Sequence, residues 1–529
     1  MELKYGGSVE NQKTVLGHPS GLFVLFFTEM WERFSYYGMR ALLVLFLVST
    51  LIDGGWGWTS ADALVLYGWY TGLVYLTPII GGFIADKFIG YRNAVVLGAL
   101  IMTLGHASMA LEGLTSVFFY VGLAGLIIGN GFFKPNISSM VGQLYKSQGK
   151  EKDGGYTIFY MGINAGAFLG ILLCGYIGEK IGWHYGFGLA GVFMFLGMLQ
   201  FYFTQKIFGK IGLSPKQTED FDDVIEDGVE KIGDDIEEAI EVAESSKVVR
   251  DRMVVIGVFS LFVVFFWWAF EQAGGSMTIF AKDYTDRALV GNAALTFKII
   301  NTIITVVPML VITWVLAMLF KQTFKKFALA NMLLGLSFVI IWAIVIWMLA
   351  REFQADATEV PASWFSVLNS LFIILFAPLF SKLWESKLNP SGPIKFAIGL
   401  LLVGLGFGVL AYGAAGIPEG AKTASVSLMF LVGAYFLHTM GELCVSPVGL
   451  SYVSKLAPVK FVSLMFGIWF TANFFANLLG GFTGSYIEPI SEEYGLSIFF
   501  LIFTIIPIAA AIIMMLLNPM LKRKMHGIE

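Results

Sequence analysis

Apolar runs long enough to cross a bilayer recur along the whole chain, separated by short polar turns. They fall near 21–51, 63–85, 93–112, 115–133, 156–178 and 186–206, and after a charged stretch near 253–280, 297–320, 327–350, 362–386, 394–414, 424–446, 461–485 and 495–518. A helix needs about 20 apolar residues to traverse the hydrocarbon core. The pattern therefore predicts an all-α integral membrane protein with 14 transmembrane helices. An even number places both ends on one side. Basic residues gather in the connections holding Lys87 and Arg92, and Lys134, Lys146, Lys150 and Lys152, and in the tail Lys522-Arg523-Lys524. The connections after the first and third runs contain neither Lys nor Arg. Basic loops remain cytoplasmic, so both termini are expected in the cytoplasm and the chain in the cell (inner or plasma) membrane.

The first run departs from this apolar pattern. At 100° per residue, Glu29, Glu32, Arg33, Tyr36, Tyr37 and Arg40 lie within about 140° of one another and form one stripe. A charge at bilayer depth costs roughly 2.5–3.5 kcal/mol on insertion scales. Four ionisable groups on one face need partners and a polar cavity; structural ion pairs between helices would satisfy the first need, a substrate or proton path both.

Composition narrows the class further. The 529 residues are 57% hydrophobic and only 14% charged, against about 25% charged in soluble domains. Cys174 and Cys444 sit in apolar segments of different halves, which excludes a disulfide framework. Residues 1–20 are polar and lack the basic-then-apolar order of a cleaved signal peptide. The chain has no HExxH, GxSxG or Cys/His metal spacing, so an enzyme is not expected. Nothing points to a nucleic-acid partner, a metal or a cofactor.

Glu29-x-x-Glu32-Arg33-Phe34-x-Tyr36-Tyr37-Gly38 resembles the first-helix motif of the proton-dependent oligopeptide transporters, the peptide branch of the major facilitator superfamily. Gly82-x-x-x-Asp86-x-x-Gly90-x-Arg92 resembles the superfamily's loop between its second and third helices. Gly131-Phe132-Phe133-Lys134-Pro135-Asn136, Phe159-Tyr160-Met161-Gly162-Ile163-Asn164-x-Gly166 and Gly441-Glu442-Leu443-Cys444-Val445-Ser446-Pro447 are similar to the family's motifs in helices four, five and ten. The resemblance implies a major facilitator fold of two six-helix bundles. The N-terminal bundle would occupy 1–206 and the C-terminal bundle 253–529, the latter with an extra transmembrane hairpin at about 297–350 outside the transport core. Between them, 207–252 is an acidic cytoplasmic linker, with Phe221, Ile225, Ile232, Ile236 and Ile240 at the spacing of an amphipathic surface helix.

The resemblance also implies roles. Arg33, Tyr37, Arg40, Tyr75, Lys134, Tyr160, Asn164, Trp267, Asn369, Glu442, Ser446 and Trp469 would bind substrate; Glu29, Glu32, Arg33 and Glu442 would couple protons. Arg40–Glu271 would latch the outer side and Lys134–Glu442 the inner. His106 and His438 read as structural, because the position of the functional histidine in animal relatives is Gly68 here. The expected activity is proton-coupled import of di- and tripeptides by alternating access, as a monomer in the lipid bilayer with protons as the coupling ion. A carrier of another small anion or peptide-like compound and a non-transporting peptide receptor are the alternatives.

Overall fold

The computed structural model describes residues 3–146, 149–222, 246–386, 388–457 and 462–528. Its described chain is carried by fourteen long helices. The first six are α1 (Ser20–Val48), α2 (Ser60–Ile84), α3 (Gly90–Met109), α4 (Ser116–Gln143), α5 (Lys150–Lys180) and α6 (Trp183–Thr204). Then come α7 (Ser246–Phe270), α8 (Gly291–Thr323), α9 (Ala328–Gln354) and α10 (Val367–Glu385). The last four are α11 (Gly392–Ala414), α12 (Met429–Leu456), α13 (Val462–Gly484) and α14 (Leu496–Lys524). Eleven stretches of the described chain are long and apolar enough to cross a membrane, one of which, Ser60–Met109, contains both α2 and α3. With four charges along it, α1 is less apolar, and it is buried along nearly its whole length.

Several helices outrun the apolar runs that announced them. α4 continues through Pro135 to Gln143, so Lys134 sits within the helix rather than at its end. α12 likewise passes Pro447 and reaches Leu456. Backbone hydrogen bonding persists where the sequence turns polar, which hydropathy alone does not report.

α1 packs between α5 and α6, and α3 against α4; in the other half α11 packs against α12 and α14. The halves meet where α2 crosses α13 and α5 crosses α10. At the first crossing a Cβ on Gly68 would lie 2.7 Å from the Gly481 Cα, so only glycine permits that approach. At the chain termini's end Lys13 donates to the Gln322 carbonyl at 3.2 Å and Lys326 pairs with Glu10 at 3.4 Å, but most polar contacts between the halves gather at the opposite end. There the Glu179 carboxylate accepts from the amides of Ala362 (2.8 Å) and Ser363 (2.9 Å), Lys180 pairs with Glu359 at 2.7 Å, and Trp364 donates to the Leu172 carbonyl at 2.9 Å.

The hairpin α8–α9 lies beside the first half, with α9 along α6. Phe338 meets Phe27 and Trp31 edge-on, each at 5.7 Å between ring centroids. Neither hairpin helix lines the central cavity. At the termini end, the segment before α1 folds back onto the bundle: the Tyr5 hydroxyl donates to Glu151 (2.5 Å) and the Gly6 amide to the Leu144 carbonyl (2.9 Å). Arg92 donates to the carbonyls of Ile211 (2.6 Å) and Gly209, holding the chain that leaves α6. Beyond the short helix Pro215–Asp222, residues 223–245 of the acidic linker read as an amphipathic helix lie outside the described residues, and 246–252 open α7.

Candidate functional site

A cavity of about 170 Å³ lies between the halves. At ~30 Å³ of liquid per molecule it matches roughly five or six waters, the scale of a small solute. The first half contributes Tyr37 and Arg40 from α1, Tyr75 from α2, and Tyr160 and Asn164 from α5. The second half contributes Trp267 from α7, Glu271 just beyond it, Asn369 from α10 and Glu442 from α12. Nine of the residues singled out in the sequence thus line one cavity.

The end of the cavity opposite the termini is closed by charge. Arg40 and Glu271 form an ion pair across the halves, with side chains 13% and 5% exposed. Arg40 also donates through Nε (2.8 Å) and Nη2 (2.5 Å) to the Tyr67 hydroxyl. Tyr67 was not anticipated, although it sits one turn before Thr71 on the buried face of α2. On the facing wall the Asn369 amide donates to Glu442 at 2.8 Å and to the Thr439 hydroxyl at 3.2 Å. Tyr435 and Ser366 line the same wall, their hydroxyls 3.2 Å apart, and Tyr435 donates to the Ala273 carbonyl at 3.0 Å. Tyr435 and Glu442 are seven apart on one helix, and Ser366, Asn369 and Ser370 stand at 0, 3 and 4; that helical spacing was the available signal.

Glu29, Glu32 and Arg33 lie one layer behind the wall. The Arg33 Nε is 3.0 Å from the Glu29 carboxylate and is also paired with Glu32, and all three side chains are at most 4% exposed. The Asn130 amide of α4 donates to Glu32 at 2.9 Å. Lys134, one turn further along α4, places its ammonium 4.6 Å from the Tyr75 ring centroid, a cation–π contact with a cavity residue. Arg33 and Lys134 are therefore spent within the first half and do not line the cavity.

Three expectations need correction. Lys134 and Glu442 form no ion pair among the described residues. Each is satisfied inside its own half, by Tyr75 and Asn369, while the halves are joined at the opposite end. Trp469 does not wall the cavity: it is 4% exposed, packs edge-on to Phe396 and covers Gly449, where a Cβ would meet its ring at 2.3 Å. Ser446 is also off the wall, its hydroxyl buried without a partner. Ser446 is on α12 and Trp469 on α13, and helical phase alone does not resolve which of their residues meet the cavity.

Comparisons with known proteins agree with this architecture. The chain is 35% identical to an uncharacterised transporter of Bacillus subtilis (strain 168) over 98% of its length and 97% of that protein's. It is 32% identical to the di-/tripeptide transporter of Lactococcus lactis subsp. cremoris, covering 97% of this chain and 98% of the other. Among solved structures, a peptide transporter POT in complex with sulfate superposes with a TM-score of 0.74 at 30% identity, covering 97% of both chains. A POT family transporter in complex with 5-aminolevulinic acid gives 0.73 at 26%, over 96% and 98%. These relatives are multi-pass membrane transporters rather than enzymes. Residues 92–226 and 342–499 match the POT family, and with that match spanning more than half its length the chain belongs to this family of membrane transporters.

Proposed function

We propose that the chain is a proton-coupled symporter that imports di- and tripeptides by alternating access. The observation that carries the reading is the cavity itself: Arg40 of the first half lines it together with Glu442 and Asn369 of the second. A short peptide is a zwitterion with its two charges at a fixed separation, and such a cavity complements both ends. Tyr37, Tyr75, Tyr160 and Trp267 surround the remaining space with rings that accept varied side chains. The names of the relatives, di-/tripeptide transporters among them, support the same substrate class.

Coupling follows from charge balance. Arg33 and Lys134 are the counter-charges of the buried Glu29 and Glu32. A peptide carboxylate in the cavity that draws Arg33 or Lys134 toward it leaves the acids short of partners, so proton and peptide favour each other's binding, and linkage makes the effect reciprocal. Glu32 and Glu29 form the main proton site and Glu442 a secondary one; no other cofactor is needed. With the termini cytoplasmic, the end closed by Arg40–Glu271 is the outer one, and transport is a rocking of the halves about the midplane site. The protein acts as a monomer in the cell membrane.

The test is uptake of labelled dialanine into proteoliposomes under an imposed acid-outside gradient. Wild type accumulates the peptide; Glu32→Gln retains peptide counterflow and loses accumulation. Unchanged accumulation by Glu32→Gln would remove it as the proton site, and competition by nitrate rather than by dialanine would favour an anion carrier.

A further inference from the structure

Asn130 stands out because it is neutral, fully buried and aimed at an acid. Its Nδ2 donates to the Glu32 carboxylate at 2.9 Å, while its Oδ1 is buried with no hydrogen-bond partner. The backbone that carries it is fixed on both sides. Thr77 of α2 donates to the Ile127 carbonyl at 2.9 Å, and a Cβ on Gly131 would lie 2.7 Å from the Thr77 Cβ, so α2 and α4 touch one turn before Asn130 and again just after it. α4 is thus held against α2 on either side of Asn130. The groups that face Glu32 are Glu29 and Arg33 on α1, Lys134 and Asn130 on α4, and the Tyr70 hydroxyl on α2. Of these the asparagine amide and the Tyr70 hydroxyl each carry a donor and an acceptor, and of the two it is Asn130 that stands at hydrogen-bond distance from Glu32, the Tyr70 hydroxyl being buried without a partner.

An ionised carboxylate only accepts hydrogen bonds; a protonated one must also donate. Arg33 and Lys134 serve the ionised form alone. We propose that Asn130 is the positioning residue of the Glu32 proton site, donating through Nδ2 to the ionised carboxylate and, with its amide turned over, accepting through Oδ1 from the protonated one. The unpartnered Oδ1 is the acceptor held in reserve for the protonated state. No bond forms or breaks beyond the transfer of the proton to Glu32, and Asn130 remains neutral throughout. The inference rests on the proposed role of Glu32 in proton coupling.

The experiment pairs transport with spectroscopy on the full-length protein in liposomes. Asn130→Ala and Asn130→Leu are expected to keep dialanine counterflow within about twofold of wild type. Their pH-gradient-driven accumulation falls at least fivefold, and the pH profile of uptake moves by half a unit or more. A merely structural role would lower counterflow and accumulation together and leave the profile in place. Infrared difference spectra of wild type, which need no variant to fold, are expected to show an asparagine amide change with the same pH midpoint as protonation of a carboxyl, both lost in Glu32→Gln. Amide bands that do not respond to pH, or variants that accumulate peptide as wild type does, would overturn the role of Asn130. Failure of wild type to accumulate dialanine would instead overturn the transport reading, while the infrared result would still decide whether Asn130 follows Glu32.

Discussion

Glu271→Gln removes the charge that pairs with Arg40 across the halves and, in the proposed orientation, holds the outer end shut. The pair it breaks is largely buried, with Arg40 13% and Glu271 5% exposed, and it exists only when the halves are closed at that end. Two unit charges at 4 Å attract by ~4 kcal/mol at an effective dielectric constant of 20. In the open state both groups recover water, so the net difference is smaller. Hydrogen bonds to charged groups contribute about 1.5–3 kcal/mol, and with a factor of ten per ~1.4 kcal/mol this corresponds to a roughly 10–150-fold shift toward the outward-open state. The Tyr67 hydroxyl still accepts from Arg40 at 2.8 and 2.5 Å, so the guanidinium is not stranded and the shift belongs at the lower end, about tenfold. The assay places a cysteine at Ala41 on the cavity wall and follows its modification by a membrane-impermeant maleimide added outside right-side-out vesicles. Native Cys174 and Cys444 are buried and give the background. A modification rate unchanged from the parent would refute the latch.

Three further outcomes follow from the same geometry. Glu442→Gln removes the acid that accepts from Asn369 at 2.8 Å and should raise the KM for dialanine at least tenfold, as the loss of a hydrogen bond to a charge predicts; N-acetylated dialanine, lacking the cation, should compete equally poorly with both proteins. Gly166→Ala should lower the thermal unfolding midpoint in detergent, because the new Cβ would lie 2.1 Å from the Met30 carbonyl oxygen and 2.9 Å from the Arg33 Cβ, an overpacking that typically costs about 1–3 kcal/mol. His18, before α1, accepts or donates at 2.8 Å to the Tyr145 hydroxyl, and burial holds its imidazole below the usual value of 6.5. The folded segment thus favours the neutral ring, so its docking is fully present above pH 6.5 and weakens as pH falls below it. The hydrogen-exchange protection of residues 3–19, each rate divided by its intrinsic rate at that pH, should fall between pH 7 and 5 in wild type and not in His18→Gln.

The helices and the cavity were legible in the sequence for different reasons. Apolar length predicts a span because the bilayer core imposes it, and the charged stripe of α1 stood out because charge is rare at that depth. Depth behind a wall was not legible. Arg33 lies on the same stripe as Arg40, yet one is spent on Glu29 and Glu32 while the other crosses to Glu271; the choice depends on which helix each faces. Trp469 fails for the same reason, its ring filling the space over Gly449 instead of the cavity. Tyr67 and Asn130 were missed because a lone polar residue in an apolar helix gives no periodic signal, and their partners come from another helix. The attachment of the hairpin to α6, through Phe338 against Trp31 and Phe27, rests on shape between apolar surfaces that hydropathy treats as equivalent.

The central claim is that the buried acids exchange a proton for passage of a peptide. It is tested most directly by proton movement that the peptide itself drives. Proteoliposomes loaded with a pH-sensitive dye, clamped at zero membrane potential with no initial pH gradient, receive external dialanine. The lumen should acidify with wild type and stay constant with Glu32→Gln. A wild-type protein that carries dialanine inward while the lumen pH does not change would contradict the account.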